Sequence, residues 1–340
     1  MIDRIRHLRS LAIIGMDKNA GKTTVLNHLI QEAKAVGFTP TLALTSIGRD
    51  GEEKDLVTSS IKPKIYVYPG TLVATTRDLL NRCDLTKEIL ETTGINTPTG
   101  EVILFRAKSA GFVEIAGPSN VGGAQRVKES FLAIDPGCFY LVDGALSRKS
   151  TAGHFLTDGA ILATGASSSS SMAKVVDKTI TMVEIFKSPR LEEEHYEKVK
   201  ASLEEARLVI FGGKITPIPV ELAFTAAREA AEIIDKDSYL IAIKGVVTDS
   251  FLNSLMSGAD IKGKTLVIED ATRLLIGAEL WRKIKSLEMK IRVLQKIDLV
   301  ALTINPFSPR GLHFDSQSFE AALSRRTDLF IYDVGRDYAT

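Results

Sequence analysis

Cysteine is nearly absent: the 340-residue chain holds two, Cys83 and Cys138, in no CxxC pair and at no metal-ligand spacing. That excludes a disulfide framework and a thiolate metal cluster, and two free thiols fit a reducing cytoplasm. An excess of one charge is missing too. The 43 Lys+Arg and 42 Asp+Glu leave a formal +1, so no overall field draws the chain to nucleic acid or to an anionic membrane. No apolar stretch approaches the ~20 residues of a membrane span. The charged N-terminus (Asp3, Arg4, Arg6, Arg9) is followed by an apolar run over residues 11–14 only, too short for a signal peptide. Repeats with a period of about 20–50 residues are also lacking. What remains is an ordinary globular composition, 44% hydrophobic and 25% charged, and a length for about two domains. The expectation is a soluble, cytoplasmic protein that engages neither nucleic acid nor membrane.

Short β-branched runs alternate with helical patterns along the whole chain. Residues 11–14, 41–45, 102–105, 112–115, 139–142 and 160–163 read as strands, and 208–211, 239–247, 266–268, 299–304 and 329–332 follow. Their continuous apolar character predicts sheets covered on both faces, the α/β pattern. Val25, Leu26, Leu29, Ile30 and Ala33 form one helical stripe, with Gly37 at the C-cap. Pro219 opens a second helix with Leu222, Ala223, Ala226, Ala230 and Ile233 on its inner face, and Leu274, Leu275, Ala278 and Ile284 mark a third. Residues 191–206 are dominated by charge and predict an exposed or bridging helix, so the domain boundary is expected near 190 or 205. The predicted organisation is a nucleotide-binding domain over 1–190, mostly parallel sheet flanked by helices, then a second α/β domain over 205–340.

The strongest motif is Gly15-Met16-Asp17-Lys18-Asn19-Ala20-Gly21-Lys22-Thr23-Thr24, between a hydrophobic strand and an amphipathic helix. That setting is what a phosphate-binding P-loop requires. Backbone N–H groups of residues 19–24 would wrap the phosphates, and the helix N-terminus adds its positive dipole end. Gly21 lets the backbone approach closely, Lys22 brings a cation to the β- and γ-phosphates, and Thr23 offers a hydroxyl to Mg²⁺. The strict G-x-x-x-x-G-K-[ST] spacing is not met: Met16 stands where the first glycine belongs, and Gly15 lies one place earlier.

Two acidic positions complete the expected site. The strand over 139–142 runs into Asp143-Gly144, and an acid at the carboxyl edge of a strand beside the first is placed to orient Mg²⁺ or its water. A turn-forming Asp-Gly is the alternative. Asp50, in the charged loop over 45–55 after the second strand, is a second Mg²⁺ partner or activates the attacking water; the same residues also read as a solvated loop. The serines of 167–171 read as a helix cap in a flexible loop, or as a phosphate or carboxylate site. Arg148 and His154 read as surface groups, His28 carries no chemistry, and Asn305-Pro306 and Pro309-Arg310-Gly311 read as turns beyond a strand. No N-K-x-D guanine motif is present, which favours adenine.

The loop from Gly15 to Thr23 resembles the G-x-D-x-x-x-G-K-T loop of dethiobiotin synthetases, with Asp17 matching that family's loop aspartate. Asp17 stands where the related partitioning ATPases and nitrogenase iron proteins carry a signature lysine, and Lys18 comes one residue too late. Val142-Asp143-Gly144-Ala145 is similar to the family's V-E-G-A segment. Leu44-Thr45-Ser46 replaces the K-P-V whose lysine helps hold substrate there, which argues against dethiobiotin synthesis. Together with 45–55 (TSIGRDGEEKD), 141–149 (LVDGALSRK) and the second α/β half, the chain resembles the smaller subunit of the ATP-dependent reactivating factor of lysine 5,6-aminomutase and its ornithine-acting relatives. The resemblance implies ATP and Mg²⁺ as ligands, a MutS-like ATPase subunit and a cobalamin-dependent aminomutase as partners, and a homo- or hetero-oligomer. The cycle it implies would order the 45–55 loop on ATP binding and release it on hydrolysis, opening the inactivated mutase so that damaged cobalamin leaves. The competing readings are a small-molecule ligase of the dethiobiotin synthetase type and a non-catalytic nucleotide sensor.

Overall fold

The computed structural model describes residues 1–47, 64–118, 120–145, 157–218, 223–309 and 311–335, and the chain divides into two compact units. The first comprises residues 1–179 together with 298–340, and the second is the intervening 180–297.

The first unit is built on a nine-stranded sheet. In spatial order its strands are Phe330–Asp333, Asp298–Asn305, Gly159–Gly165, Ser10–Gly15, Phe139–Ala145, Leu42–Ile47, Leu72–Thr76, Gly100–Ala107 and Lys87–Thr97. Every joint from Phe330–Asp333 to Leu72–Thr76 is parallel, and the last two are antiparallel. The central strands Ser10–Gly15 and Gly159–Gly165 are buried along their whole length, as continuous apolar runs in a two-sided sheet should be. On one face Leu11, Ile13, Leu44, Leu141 and Ile161 pack with Val25, Leu26, Leu29 and Ile30 of the helix Lys22–Ala35. On the other, Ala43, Tyr140 and Val142 pack with Val127 and Phe131 of the helix Val121–Ile134. Alternation of side chains along each strand is what sends neighbours in sequence to opposite cores.

The fold is α/β, with a large, mostly parallel sheet between helices. Each expected run contains a strand, though not always over its full length, with one consequence for organisation. The runs at 299–304 and 329–332 were assigned by sequence position to the second domain, but Asp298–Asn305 pairs with Gly159–Gly165 and Phe330–Asp333 lies outside it. The chain therefore leaves the first sheet for 180–297 and returns to it, and the second compact unit begins before 190 and ends well short of 340. The physical reason is that Gly159–Gly165 would otherwise be an unpaired edge of a buried strand, and a second apolar run is needed to satisfy it.

The second unit has a five-stranded sheet in the order Ile215–Ile218, Leu208–Phe211, Leu240–Ile243, Thr265–Ile268 and Lys290–Val293, with the last three parallel. Val199 and Leu203, the thin stripe of the charged helix Glu193–Glu205, bury against Val209, Phe211, Leu240 and Val267. Two readings are corrected here. The run 239–247 is broken at Gly245 (φ +118°) into Leu240–Ile243 and the short strand Val247–Thr248. Leu274 and Leu275 are not helical: they form a strand that pairs with Val247–Thr248, and the helix starts at Ala278. Their helix-like spacing came from two elements read as one. Among the described residues no helix is long and apolar enough to cross a membrane.

Candidate functional site

The first strand ends at Gly15 and the helix begins at Lys22, so residues 16–21 turn the chain at the carboxyl edge of the sheet. This is the edge where open α/β sheets bind ligands. The loop is held from both sides. Met16 N–H donates to the carbonyl of Ala163 at 2.8 Å, and Asn305 Nδ2 donates to the carbonyl of Asn19 at 3.0 Å. Asn19 and Gly21 adopt left-handed backbone, φ +61° and +92°, a sequence of conformations that curls a short segment and turns its N–H groups inward.

Two glycines are explained by what stands over them. A Cβ on Gly15 would lie 2.6 Å from Lys22 Nζ and 2.8 Å from its Cδ, so the lysine side chain is folded back across the end of the first strand. A Cβ on Gly21 would meet Asn305 Cβ at 3.3 Å, on top of its positive φ. Thr23 and Thr24 follow in the first turn of the helix, whose N-cap is Gly21. Ala20 is buried, while Lys18 and Asn19 face solvent. The loop expected from Gly15 to Thr24 thus encloses a lysine ammonium at the start of a 14-residue helix.

Asp143 stands on the neighbouring parallel strand, in register with Ile13 on one side and Ser46 on the other. Two-residue alternation puts it on the face of Leu11, Ile13 and Leu141, the face that carries the helix Lys22–Ala35. It is 5% exposed, and its Oδ1 has no hydrogen-bond partner among the described residues. A buried carboxylate oxygen without a donor is costly, so this atom marks a place where a cation or donor would be stabilised. Asp50 lies outside the described residues, as do Arg148, His154 and Arg310.

Asp17 has a different set of partners. Lys178 Nζ lies 2.7 Å from Asp17 Oδ2, and Ser168 donates to the same oxygen. Lys178 also donates to Ser168 at 3.2 Å. The serine run thereby takes part in the loop's environment instead of serving only as a helix cap. His28, by contrast, sits between Tyr332 (3.2 Å, Nδ1 to the phenol) and Glu32 (3.4 Å), away from the loop.

Three residues of this neighbourhood were missed. Asn305 was visible only as a turn in the supposed second domain, and its role follows from the return of that strand to the first sheet. Ser168 had a signal in its serine-rich loop. Lys178 had none beyond a polar position on the helix Met172–Phe186.

Neither cysteine offers a reactive thiolate. Both are buried, and desolvation pushes the Cys138 thiol up to about 11 and raises that of Cys83. Among the described residues no group of three or more His, Cys, Asp or Glu is placed to hold a metal ion. A divalent ion at this edge would complete its shell from hydroxyls and from phosphate oxygens of a ligand, the habit of Mg²⁺.

The arrangement is an α/β sheet edge with a lysine-bearing loop, a helix N-terminus and a buried aspartate whose Oδ1 has no hydrogen-bond partner among the described residues. No protein-family model, curated protein or solved structure matches the chain.

Proposed function

We propose that this protein binds ATP with Mg²⁺ at the loop from Gly15 to Thr24, hydrolyses it, and works as the nucleotide-driven subunit of a reactivating factor for a cobalamin-dependent aminomutase. The observation that carries the nucleotide reading is Lys22 folded across Gly15, in a loop that joins a buried parallel strand to a long helix. The strand order gives the site two flanks. Asp143 lies on one side of the first strand; Asn305 lies beyond Gly159–Gly165 on the other, next to the exposed ring of Phe307. The metal-bearing end of the nucleotide belongs to the Asp143 flank, and Phe307 offers an aromatic face to a base on the other.

In this reading Lys22 and the loop N–H groups hold the β- and γ-phosphates. Thr23 and Asp143 would hold Mg²⁺, and the orphaned Oδ1 of Asp143 fits that ion. Bound Mg²⁺ would neutralise charge developing on the phosphate oxygens. Asn19, Ala20, Gly21 and Thr24 supply the curved backbone. Asp17 shapes the loop from outside through Lys178 and Ser168. Asp50 is proposed, from its place after the second strand, as the second acid.

The reactivating role, with a MutS-like ATPase and an aminomutase as partners, is supported by the sequence resemblance. A dethiobiotin-type ligase would want the lysine replaced here by Leu44-Thr45-Ser46. The test is ATP hydrolysis by the pure protein, alone and with the ATPase partner and an inactivated aminomutase. Stimulation by the mutase, lost in Lys22→Ala, is the expected result. Turnover that ignores every protein partner would overturn the reactivating role, and absence of ATP binding would overturn the site.

A further inference from the structure

The strand after the loop helix ends beside Asp143, and its last residues place hydroxyls at the same sheet edge. Thr45 and Ser46 are adjacent in sequence and so face opposite sides. Thr45 shares its face with Ala43, which packs in the core beneath the helix Val121–Ile134. A Cβ on Gly117 would lie 2.8 Å from Thr45 Oγ1 and 2.0 Å from the Ser46 carbonyl oxygen, so the chain at Gly117 covers that side closely. Ser46 faces the other way. It is the register partner of Asp143 across a parallel pair, and cross-strand partners present their side chains on one face. That face carries the helix Lys22–Ala35, whose first turn, with Thr23, stands at this same edge.

Ser46 is 2% exposed and Asp143 is 5% exposed with an unpartnered oxygen. Thr23, Asp143 and Ser46 therefore bring three oxygen-bearing side chains from three elements to one edge of the sheet, Ser46 and Asp143 on the face that carries the helix. We propose that Ser46 is a further protein oxygen of the divalent-cation site, sharing the ion with Thr23, Asp143 and the phosphate oxygens of the nucleotide. The proposal rests on the nucleotide reading given above. A neutral hydroxyl suits Mg²⁺, which keeps waters and takes one or two carboxylates plus phosphate oxygens.

The test is Mn²⁺ binding, followed by electron paramagnetic resonance, to the full chain saturated with a non-hydrolysable ATP analogue. Ser46→Ala is expected to weaken Mn²⁺ binding on the order of 10-fold, with metal-free nucleotide affinity and melting temperature unchanged. Ser46→Cys covers the case in which the alanine variant does not fold. It should lose Mg²⁺ support and bind Cd²⁺ with a thiolate charge-transfer band, because soft ligands select soft ions. Cys83 and Cys138 are both buried, and the parent protein sets their background. Variants at Ser46 that bind Mn²⁺ like the parent, while Asp143→Asn does not, would overturn the proposal and leave the nucleotide site standing. A parent protein that binds no nucleotide would overturn both.

Discussion

Each of the two units has an aspartate at or just past the carboxyl end of a parallel strand, and the two acids stand in different surroundings. In the second unit, Asp270 follows Thr265–Ile268 and is fully buried. Its Oδ1 accepts from Thr272 N at 2.8 Å and from the Thr272 hydroxyl, and its Oδ2 lies 3.8 Å from Arg273 Nε. Neighbouring groups are tied internally as well: Gly245 N–H donates to Glu269 at 2.9 Å, and Gly277 N–H donates to Asp249 at 3.0 Å. The short pair Val247–Thr248 and Leu274–Leu275 follows that same edge. Among the described residues each acid keeps one oxygen with no hydrogen-bond partner, Asp270 Oδ2 and Asp143 Oδ1, but Asp270 Oδ2 faces a buried arginine, whereas Asp143 stands at the edge where a loop folds a lysine inward. One acid caps a short helical turn beside a buried arginine; the other stands on the strand next to the lysine-bearing loop. An acid after a strand is therefore no indicator of function until its hydrogen bonds are counted.

The largest expected effect is at the loop. Lys22→Ala should reduce ATP affinity or turnover by ~100-fold or more with no change in melting temperature, read by equilibrium binding and calorimetry. An unaltered ATP affinity would remove the site from the open edge altogether. Next come the two acids themselves. Asp143→Asn should abolish metal-dependent turnover with little change in stability, since its Oδ1 makes no hydrogen bond among the described residues that the change would remove. Asp270→Ala should destabilise by about 2–4 kcal/mol, because it strips a cap and leaves Arg273 buried with one partner fewer. Denaturant melts of both variants check the pair, and equal losses would erase the contrast between the edges.

The pH dependence sharpens it further. Burial, the leading cause, raises the Asp270 pKa above its ordinary value despite the Thr272 bonds and Arg273. The folded state then binds the proton more tightly than the unfolded chain. Its contribution is present below the unfolded carboxylate pKa and is lost as pH rises through the folded pKa. Asp270→Asn should flatten that fall in stability above about pH 4, and an unchanged slope would assign it to other groups. The smallest effects belong to the partly exposed pair of Lys178 and Asp17. Lys178→Met should cost about 0.2–1 kcal/mol and shift ATP affinity only slightly, whereas Asn305→Ala, which frees the Asn19 carbonyl, should cost about 1 kcal/mol.

Much of this was legible before the structure. The apolar runs at 11–14, 139–142 and 160–163 are continuous because those strands are buried on both faces, so composition alone marks them. Gly37 ends its helix with φ +62°, where Phe38 N–H bonds back to Ala33 at 2.8 Å. Strands with less contrast were not visible. Lys87–Thr97 is an edge strand with mixed exposure and two register irregularities, and such strands lack the burial that writes a pattern into the sequence. Lys290–Val293 is short and alternates with charge.

The sequence by itself determined the local events: a buried strand, a glycine- and lysine-bearing loop, an amphipathic helix and an acid after a later strand. These follow from short-range sterics and hydrophobic period, which act within a few residues. Tertiary structure alone decided which edges those pieces share. It brought Asn305 to Asn19, 286 residues away, and set Ser46 in register with Asp143. It also separated two similar aspartates by their hydrogen bonds. Pairing of strands distant in sequence is chosen by the burial and satisfaction of whole sheets, a property that no local window contains.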